Sequence, residues 1–238
     1  MKSTFQQSLN SRAFTMLELV FVIVVIGILA ATIIPQTKTN PVQEAAIQLA
    51  SHIKYTQHLA MMDDRYDSDR KDDNGDVIWY KDRWQLVFST SSNTDNQVGY
   101  TIFSDTLGTA VNRGDANEAE IARNPQNSSQ RMTGGYTGAV ALDINHLSFV
   151  GMEKLNIGKS YGVTSATLGG GCRADWKRIS FDHLGRPFQG RQSSMTSPYN
   201  IGSTQRLIKA TCTVTLSDGS DNVVISIEPE TGYVNTTF

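Results

Sequence analysis

Cysteine is scarce in this chain of 238 residues, which contains only Cys172 and Cys212. Their wide separation excludes the closely spaced pairs of zinc sites and thiol redox sites. Outside the cytoplasm the two would form a disulfide, and two unrelated buried thiols are the alternative. The chain also lacks a Gly-x-Ser-x-Gly, zinc-protease or phosphate-loop motif. We therefore expect neither enzymatic activity nor a cofactor.

An excess of charge of one sign is also missing. The 21 Lys and Arg residues nearly balance the 23 Asp and Glu residues, so the net charge of −2 gives no global reason to expect nucleic acid as a partner. With 39% hydrophobic residues, the chain has the composition of one globular domain plus an additional segment.

The additional segment is a long apolar run near the N-terminus. Residues 1–13 contain two basic and no acidic side chains, and residues 14–34 are uncharged except for Glu18. A secretory signal peptide cut near Ala31 and a plain membrane anchor are two interpretations. Neither explains Glu18, because a carboxylate in the bilayer interior costs at least ~2.5 kcal/mol.

The stretch AFTMLE, residues 13–18, resembles the processing site of type IV prepilins and pseudopilins. In that family a membrane peptidase cuts before a phenylalanine, and a glutamate follows at the fifth mature position. Phe14 and Glu18 match both positions, and Pro35 matches a proline that is common in the family. Ala13 departs from the pattern, because glycine usually precedes the cut.

The resemblance implies cleavage after Ala13 by the prepilin peptidase, N-methylation of Phe14, and assembly with other pilin-like subunits. It also implies a single-pass protein of the bacterial inner membrane with its globular domain in the periplasm. The physical logic agrees with this. Cleavage creates an ammonium group on Phe14, which can pair with Glu18 of a neighbouring subunit and neutralise two charges that are costly in lipid.

The sequence predicts an α+β fold. After Pro41, apolar residues recur at spacings of three and four, which is typical of an amphipathic helix. With the membrane half, this gives a long helix over 14–62, bent or opened at Pro35 and Pro41, packed on a C-terminal antiparallel β-sheet or small sandwich. The predicted segments are a leader at 1–13, a transmembrane helix at 14–34, an amphipathic helix at 35–66 and a β-rich domain at 67–238.

Short β-rich runs predict the strands of the globular part. They are 77–89, 98–104, 139–144, 146–150, 177–182, 207–216, 223–227 and 233–236. Alternation in the run 207–216 points Cys212 inward. The polar stretches 107–137 and 156–171 are predicted loops. The regions around 179–187 and 225–234 resemble the C-terminal half of the GspH/FimT type of minor pseudopilin.

An acidic segment precedes the strands, with eight aspartates between residues 63 and 82. It is not an EF-hand, because basic residues fall on the first and last ligand positions. A looser calcium site is an alternative to a solvated loop, and its candidate ligands are Asp67, Asp69, Asp72, Asp73, Asn74 and Asp76. The four histidines have no cysteine or carboxylate cluster at ligand spacing, so we expect surface side chains.

A basic segment lies at 172–210, where seven basic residues face two aspartates. It offers a surface for DNA phosphates, a contact for the acidic segment of a neighbouring subunit, or a solvated face. The candidate contacts are Arg178, Arg186, Arg191, Arg206 and Lys209. The predicted function is thus a structural minor subunit of a type II secretion or type IV pilus-type filament. The alternative is a FimT-like minor pilin that binds DNA during uptake.

Overall fold

The computed structural model describes residues 15–33, 40–72, 74–107, 114–174, 176–199 and 206–238, without the side chains of 30–33. The chain divides into two compact units, Met1–Thr39 and Asn40–Phe238. The described part is α+β with antiparallel sheets, which confirms the predicted class.

The first unit contains helix α1, Met16–Ile33. Its start is capped by Thr15, whose hydroxyl oxygen accepts the Glu18 amide at 3.2 Å. In return, the Glu18 carboxylate accepts hydrogen bonds from the Thr15 amide and hydroxyl, each at 3.0 Å. This reciprocal arrangement is a capping box. Among the described residues, no helix is long and apolar enough to cross a membrane.

Helix α2, Pro41–Met62, begins the second unit. Asn40 Oδ1 accepts the amides of Val42 (3.1 Å) and Gln43 (3.4 Å), and Pro41 fits the first turn because no amide hydrogen is needed there. The predicted apolar stripe is confirmed by the buried residues Val42, Ala45, Ala46, Leu49, Ala50, Ile53, Thr56 and Ala60. Continuity of the predicted helix 14–62 stays a prediction, since residues 34–39 lie outside the described part.

The described residues form two four-stranded antiparallel sheets, and α2 contacts strands of both. In chain order the elements are β1 Trp84–Ser89, β2 Gly99–Ser104, β3 Arg123–Asn124, β4 Asn127–Arg131, α3 Ile157–Tyr161, β5 Ser165–Gly170, β6 Arg178–Phe181, β7 Pro187–Gln189, β8 Cys212–Ser217, β9 Asn222–Ile227 and β10 Val234–Thr237. One sheet has the order β2-β1-β6-β7 and the other β10-β9-β8-β5, while β3 and β4 form a separate two-stranded ribbon.

The strand predictions are right in the segments with the clearest alternation and wrong elsewhere. The predicted strands 139–144 and 146–150 are turns, with a 3-10 turn at Val140–Leu142. In the first, Leu142 and Ile144 are buried singly rather than along a strand face. Conversely, the predicted loop 156–171 contains α3 and β5. Strand β5 pairs with β8 along its full length despite its glycines. The predicted loop 107–137 contains β3 and β4.

The predicted strand 207–216 is divided between the two sheets. Leu207 bridges to Phe188 of β7, and the Ile208 amide donates to Pro187 O at 3.0 Å. Strand β8 of the other sheet begins only at Cys212. From there the inward alternation is as predicted, because Cys212, Val214 and Leu216 are buried.

The predicted disulfide between Cys172 and Cys212 is confirmed. Cys172 follows β5, and Cys212 begins its partner β8. Between the two cysteines the chain leaves this sheet, contributes β6 and β7 to the other sheet, and returns. The disulfide therefore closes the loop that holds most of the basic segment.

A polar network links α2 to β2 and α3. The phenol of Tyr100 is within 2.6 Å of His52 Nδ1 and accepts from Gln48 Nε2 at 3.0 Å. Gln48 Nε2 also donates to Lys154 O, which fixes its amide orientation, and its Oε1 accepts the Tyr161 hydroxyl. The phenol hydrogen of Tyr100 is thus directed to His52 Nδ1, which has to be an unprotonated acceptor. His52 was predicted to be a surface side chain and is instead half-buried.

His52 should make the globular unit sensitive to mild acid. Burial lowers the pKa of His52 to about 4, whereas an unfolded chain has a value near 6.5. Between those values the unfolded chain binds a proton that the folded chain excludes, so stability falls as the pH falls from 6.5 to 4 and is unaffected by this group above 6.5. The loss attributable to His52 is about 3 kcal/mol.

The measurement is urea denaturation at pH 7 and pH 4.5. We expect His52→Gln to lose less stability than wild type over this interval, and the difference between the two is the contribution of His52. His58 is exposed on the same helix, so His58→Gln is the matched control and should keep the wild-type pH dependence. An equal loss in His52→Gln and wild type would contradict the prediction.

Candidate functional site

The five candidate contacts of the basic segment do not form one surface. Arg178, Arg191 and Arg206 line a single cleft together with Lys177. Arg186 lies outside this cleft, between β6 and β7, and Lys209 is exposed outside the cleft as well. Of the basic surface predicted at 172–210, the three arginines and Lys177 therefore lie together in this cleft.

The cleft has a volume of about 910 Å³ and lies at the end of β1. Four stretches of the chain form its walls, and three further side chains complete the rim. They are 87–91, 115–117, 136–138, 176–178 with Arg191, and Ser194 with Arg206. Residues far apart in sequence thus meet here because β1 pairs with β6, which places Arg178 opposite Val87.

Asp115 is an acidic residue of the cleft. Its Oδ1 lies 2.5 Å from Arg191 Nη2 and 3.5 Å from Arg178 Nη2, and it accepts the Tyr136 hydroxyl at 3.2 Å. Arg178 also donates to the carbonyl of Gly114 and to Gln85 Oε1. Through its two ion pairs, Asp115 partly neutralises the positive charges of Arg178 and Arg191. Burial lowers the pKa of Arg178.

Trp176 is held between two guanidinium groups. The Arg206 guanidinium carbon lies 3.8 Å from the ring centroid, and that of Arg173 lies 4.2 Å away. Arg206 Nη2 donates to Ser194 Oγ at 2.8 Å. Desolvation and the nearby charge of Arg173 lower the pKa of Arg206, which means that this environment disfavours its positive charge. An anion in the cleft would relieve that cost.

Two glycines permit the close packing behind the cleft. A Cβ on Gly190 would lie 2.4 Å from the Trp176 ring, and the φ angle of +73° at Gly190 is itself unfavourable for other residues. At Gly114, φ is +100° and a Cβ would lie 2.6 Å from Arg191 Nε. The positions of Trp176 and Arg191 thus depend on backbone that only glycine tolerates well.

Arg186 belongs to the turn between β6 and β7. Its Nε lies 2.8 Å from Asp182 Oδ2, and its Nη2 donates to the Tyr199 hydroxyl at 2.9 Å. Asp182 is 2% exposed, so the pair is largely shielded from solvent on the carboxylate side. Arg186 therefore stabilises its own turn and the segment around Tyr199, and it does not line the cleft.

Some of the described aspartates of the acidic segment bind backbone amides of the segment itself. Its aspartates cap their own turns: Asp67 Oδ1 accepts the Asp69 amide, and Asp72 Oδ1 accepts the amides of Asn74 and Asp76. In the described part of the chain, no group of three or more His, Cys, Asp or Glu side chains is placed to hold a metal ion. The candidate ligand Asp73 lies outside that part.

At the N-terminal site, the structure describes Glu18 but not its predicted partners. Ala13, Phe14 and Pro35 lie outside the described residues. What the sequence interpretation missed is Thr15, which caps α1 through Glu18. The Thr-x-x-Glu spacing was visible in the sequence and is a known helix-start pattern.

Sequence reasoning also missed Asp115, Tyr136 and Trp176 in the cleft. Asp115 is distant in sequence from the arginines that it contacts, so no local pattern connects them. Comparison with protein-family models, with curated proteins and with solved structures gives no match to this chain.

Proposed function

We propose that this protein is a pilin-like minor subunit, or pseudopilin, of a type II secretion or type IV pilus-type filament. Its role is structural rather than catalytic. The observation that carries the proposal is α1, an apolar helix with a single acidic residue, Glu18, in its first turn. Prepilin peptidase cuts after Ala13 and methylates Phe14, and the subunit lies in the inner membrane with its globular unit in the periplasm.

The exposure of α1 supports assembly through this helix. Every side chain from Thr15 to Leu29 is exposed in the structure, and the apolar ones cover all faces of the helix. A helix that is apolar all round is stable only in an apolar environment, such as lipid or a bundle of neighbouring helices. A filament core built from α1 helices supplies that environment.

The second unit is compatible with a periplasmic position. This unit contains the disulfide between Cys172 and Cys212. Disulfides form and persist in oxidising compartments and are rare in the cytoplasm. Helix α2 begins at Pro41 and packs its buried stripe against both sheets. The first unit can therefore insert into the membrane while the second unit folds around its own core.

N-terminal sequencing and intact mass of the protein isolated from membranes test the proposal. We expect the chain to start at a methylated Phe14. Ala13→Gly should be processed at least as completely, because glycine is usual in the family, whereas Ala13→Leu should accumulate uncut. A start near Ala31 would instead identify a secreted protein, and an uncut chain would identify a plain anchor.

A minor pilin for DNA uptake is the second candidate function. The convergence of Arg178, Arg191 and Arg206 on one cleft favours it. Phosphate contacts of this kind lose affinity steeply as salt rises. However, Asp115 pairs with two of these arginines, which reduces the charge available to a phosphate backbone.

A further inference from the structure

We propose that the basic cleft binds the acidic segment, residues 63–76, of a second copy of this chain. The proposal rests on the filament role described above, because it names the surface through which successive copies meet. Three observations support it. The cleft contains positive charge that no described residue neutralises, the segment has a defined shape and a negative charge, and the cleft and the segment lie at different places on one molecule.

The cleft contains positive charge that the described residues do not neutralise. Arg206 donates to Ser194 Oγ, and its Nε is buried with no hydrogen-bond partner among the described residues. Lys177 is exposed at the cleft and makes no ion pair within the described part. Carboxylates entering beside Arg206 would gain charge-assisted hydrogen bonds, which are stronger than neutral ones.

The aromatic groups of the cleft do not suit nucleic acid. Proteins that bind single strands offer free aromatic faces on which bases stack. Trp176 has Arg173 and Arg206 over its ring, and Tyr136 is only 7% exposed. The cleft instead offers the cationic donors of Lys177 and Arg206 beside Arg178 and Arg191, whose charges Asp115 partly neutralises. This arrangement fits a few discrete carboxylates better than a continuous polyphosphate.

The acidic segment presents such carboxylates. It has seven aspartates against Arg65, Arg70 and Lys71, and hence a net charge of −4. Among its described residues, the exposed acids are Asp64, Asp67, Asp69 and Asp76. Exposed aspartates on a fixed loop can enter a cleft without first breaking internal ion pairs.

The described residues of the segment are held by internal contacts before the segment binds. Arg65 forms an ion pair with Asp63, and Arg70 forms one with the buried Asp82. The backbone of Lys71 forms an isolated β-bridge with Val77. The turns capped by Asp67 and Asp72 shape the chain between these points. A loop held in this way loses little conformational entropy on docking, which favours affinity.

A second copy is required, because the two surfaces lie apart on one molecule. The segment starts beside the beginning of β1, where Asp63 accepts the Trp84 indole at 3.0 Å. The cleft lies at the other end of β1, around Ser89, and no described residue of 63–76 lines it. Two different patches that pair head to tail form a heterologous contact, which repeats into a ring or a helical filament.

Photo-crosslinking in native membranes tests this contact with the full chain. A benzoylphenylalanine is placed at Thr137, an exposed cleft residue that carries no charge. We expect an ultraviolet-dependent covalent dimer whose linked peptide contains residues from 63–76. The double variant Asp69→Lys/Asp76→Lys should lower the dimer yield at least ~10-fold, as should Lys177→Glu/Arg206→Glu. The four changes together should restore it to within about threefold of wild type.

Matched variants separate the contact from general charge and folding effects. Lys209→Glu makes the same charge change as Lys177→Glu but outside the cleft, and it should leave the dimer yield unchanged. Lys177→Glu with Asp69→Lys alters only exposed side chains, so the exchange can still be read if replacement of Arg206 disturbs Trp176. Linkage to another peptide, a nuclease-sensitive adduct, or failure of the exchanged charges to restore the dimer would each overturn the proposal.

The same preparation distinguishes this proposal from the function on which it rests. A chain that starts at Phe14 and enters filaments but forms no dimer refutes the docking of the acidic segment alone. A chain that starts elsewhere refutes the pilin-like role, and a dimer linked through 63–76 would then still establish the contact between copies.

Discussion

Replacing Glu18 by glutamine is expected to lower recovery of the mature protein in filaments by at least ~10-fold. The change removes the negative charge that is proposed to neutralise the Phe14 ammonium of a neighbouring subunit. Leaving a charge unpaired in apolar surroundings costs at least ~2.5 kcal/mol, which corresponds to more than tenfold in an equilibrium. Quantification of the sheared filament fraction, with the membrane fraction as reference, measures the effect.

The capping box gives Glu18 a second role that the experiment has to separate from the first. Glutamine also serves at the third position of a capping box, so Glu18→Gln preserves the cap and removes only the charge. Thr15→Val does the reverse, because it removes the capping hydroxyl and keeps the carboxylate. If charge pairing drives assembly, Glu18→Gln is the more damaging change. Normal filament levels in Glu18→Gln with a loss in Thr15→Val would assign Glu18 to helix capping.

Removing the disulfide is expected to destabilise the globular unit by about 3–4 kcal/mol. The bond closes a loop of 40 residues, and an open loop of this length gains that much conformational freedom in the unfolded chain. The variant Cys172→Ala/Cys212→Ala avoids leaving polar thiols or hydroxyls at two buried sites. Urea denaturation of residues 40–238, which contain α2 and both sheets, measures the loss.

Reductant supplies the internal control for the disulfide. Wild type should lose a similar amount of stability when reduced, and the double alanine variant should be insensitive to reductant. The loop holds Arg178, Arg191 and Arg206 between its fixed ends, so the dimer crosslinked from Thr137 should also decrease in the variant. A stability change below about 1 kcal/mol would show that the sheets alone fix the ends of the loop.

Helix α2 and the alternating strands were predictable because their signals are local. The stripe of α2 follows from the period of the helix, since Val42, Leu49 and Ile53 fall on one face whatever packs against them. The same holds for the inward set of β8, where the alternation by itself points Cys212 to the core. Such patterns survive any tertiary arrangement that buries one face.

The errors lie where a partner strand decides the local structure. Strand β5 has the composition of a loop, and its strand geometry comes from six consecutive pairings with β8. Residues 139–150 have strand-like composition but form turns. Intrinsic strand propensity is weaker than the effect of cross-strand neighbours, so composition misleads in both directions.

The functional residues show the same division. The sequence by itself determined the apolar segment with its lone Glu18, the amphipathic α2, the α+β class and the pair of cysteines, because each depends on spacing along the chain or on composition. Only the tertiary structure decided that Arg178, Arg191 and Arg206 meet Asp115 and Trp176 in one cleft while Arg186 is held in its own turn. The physical reason is that charge interactions act through space over a few ångströms, and strand pairing brings together residues whose separation along the chain contains no record of that proximity.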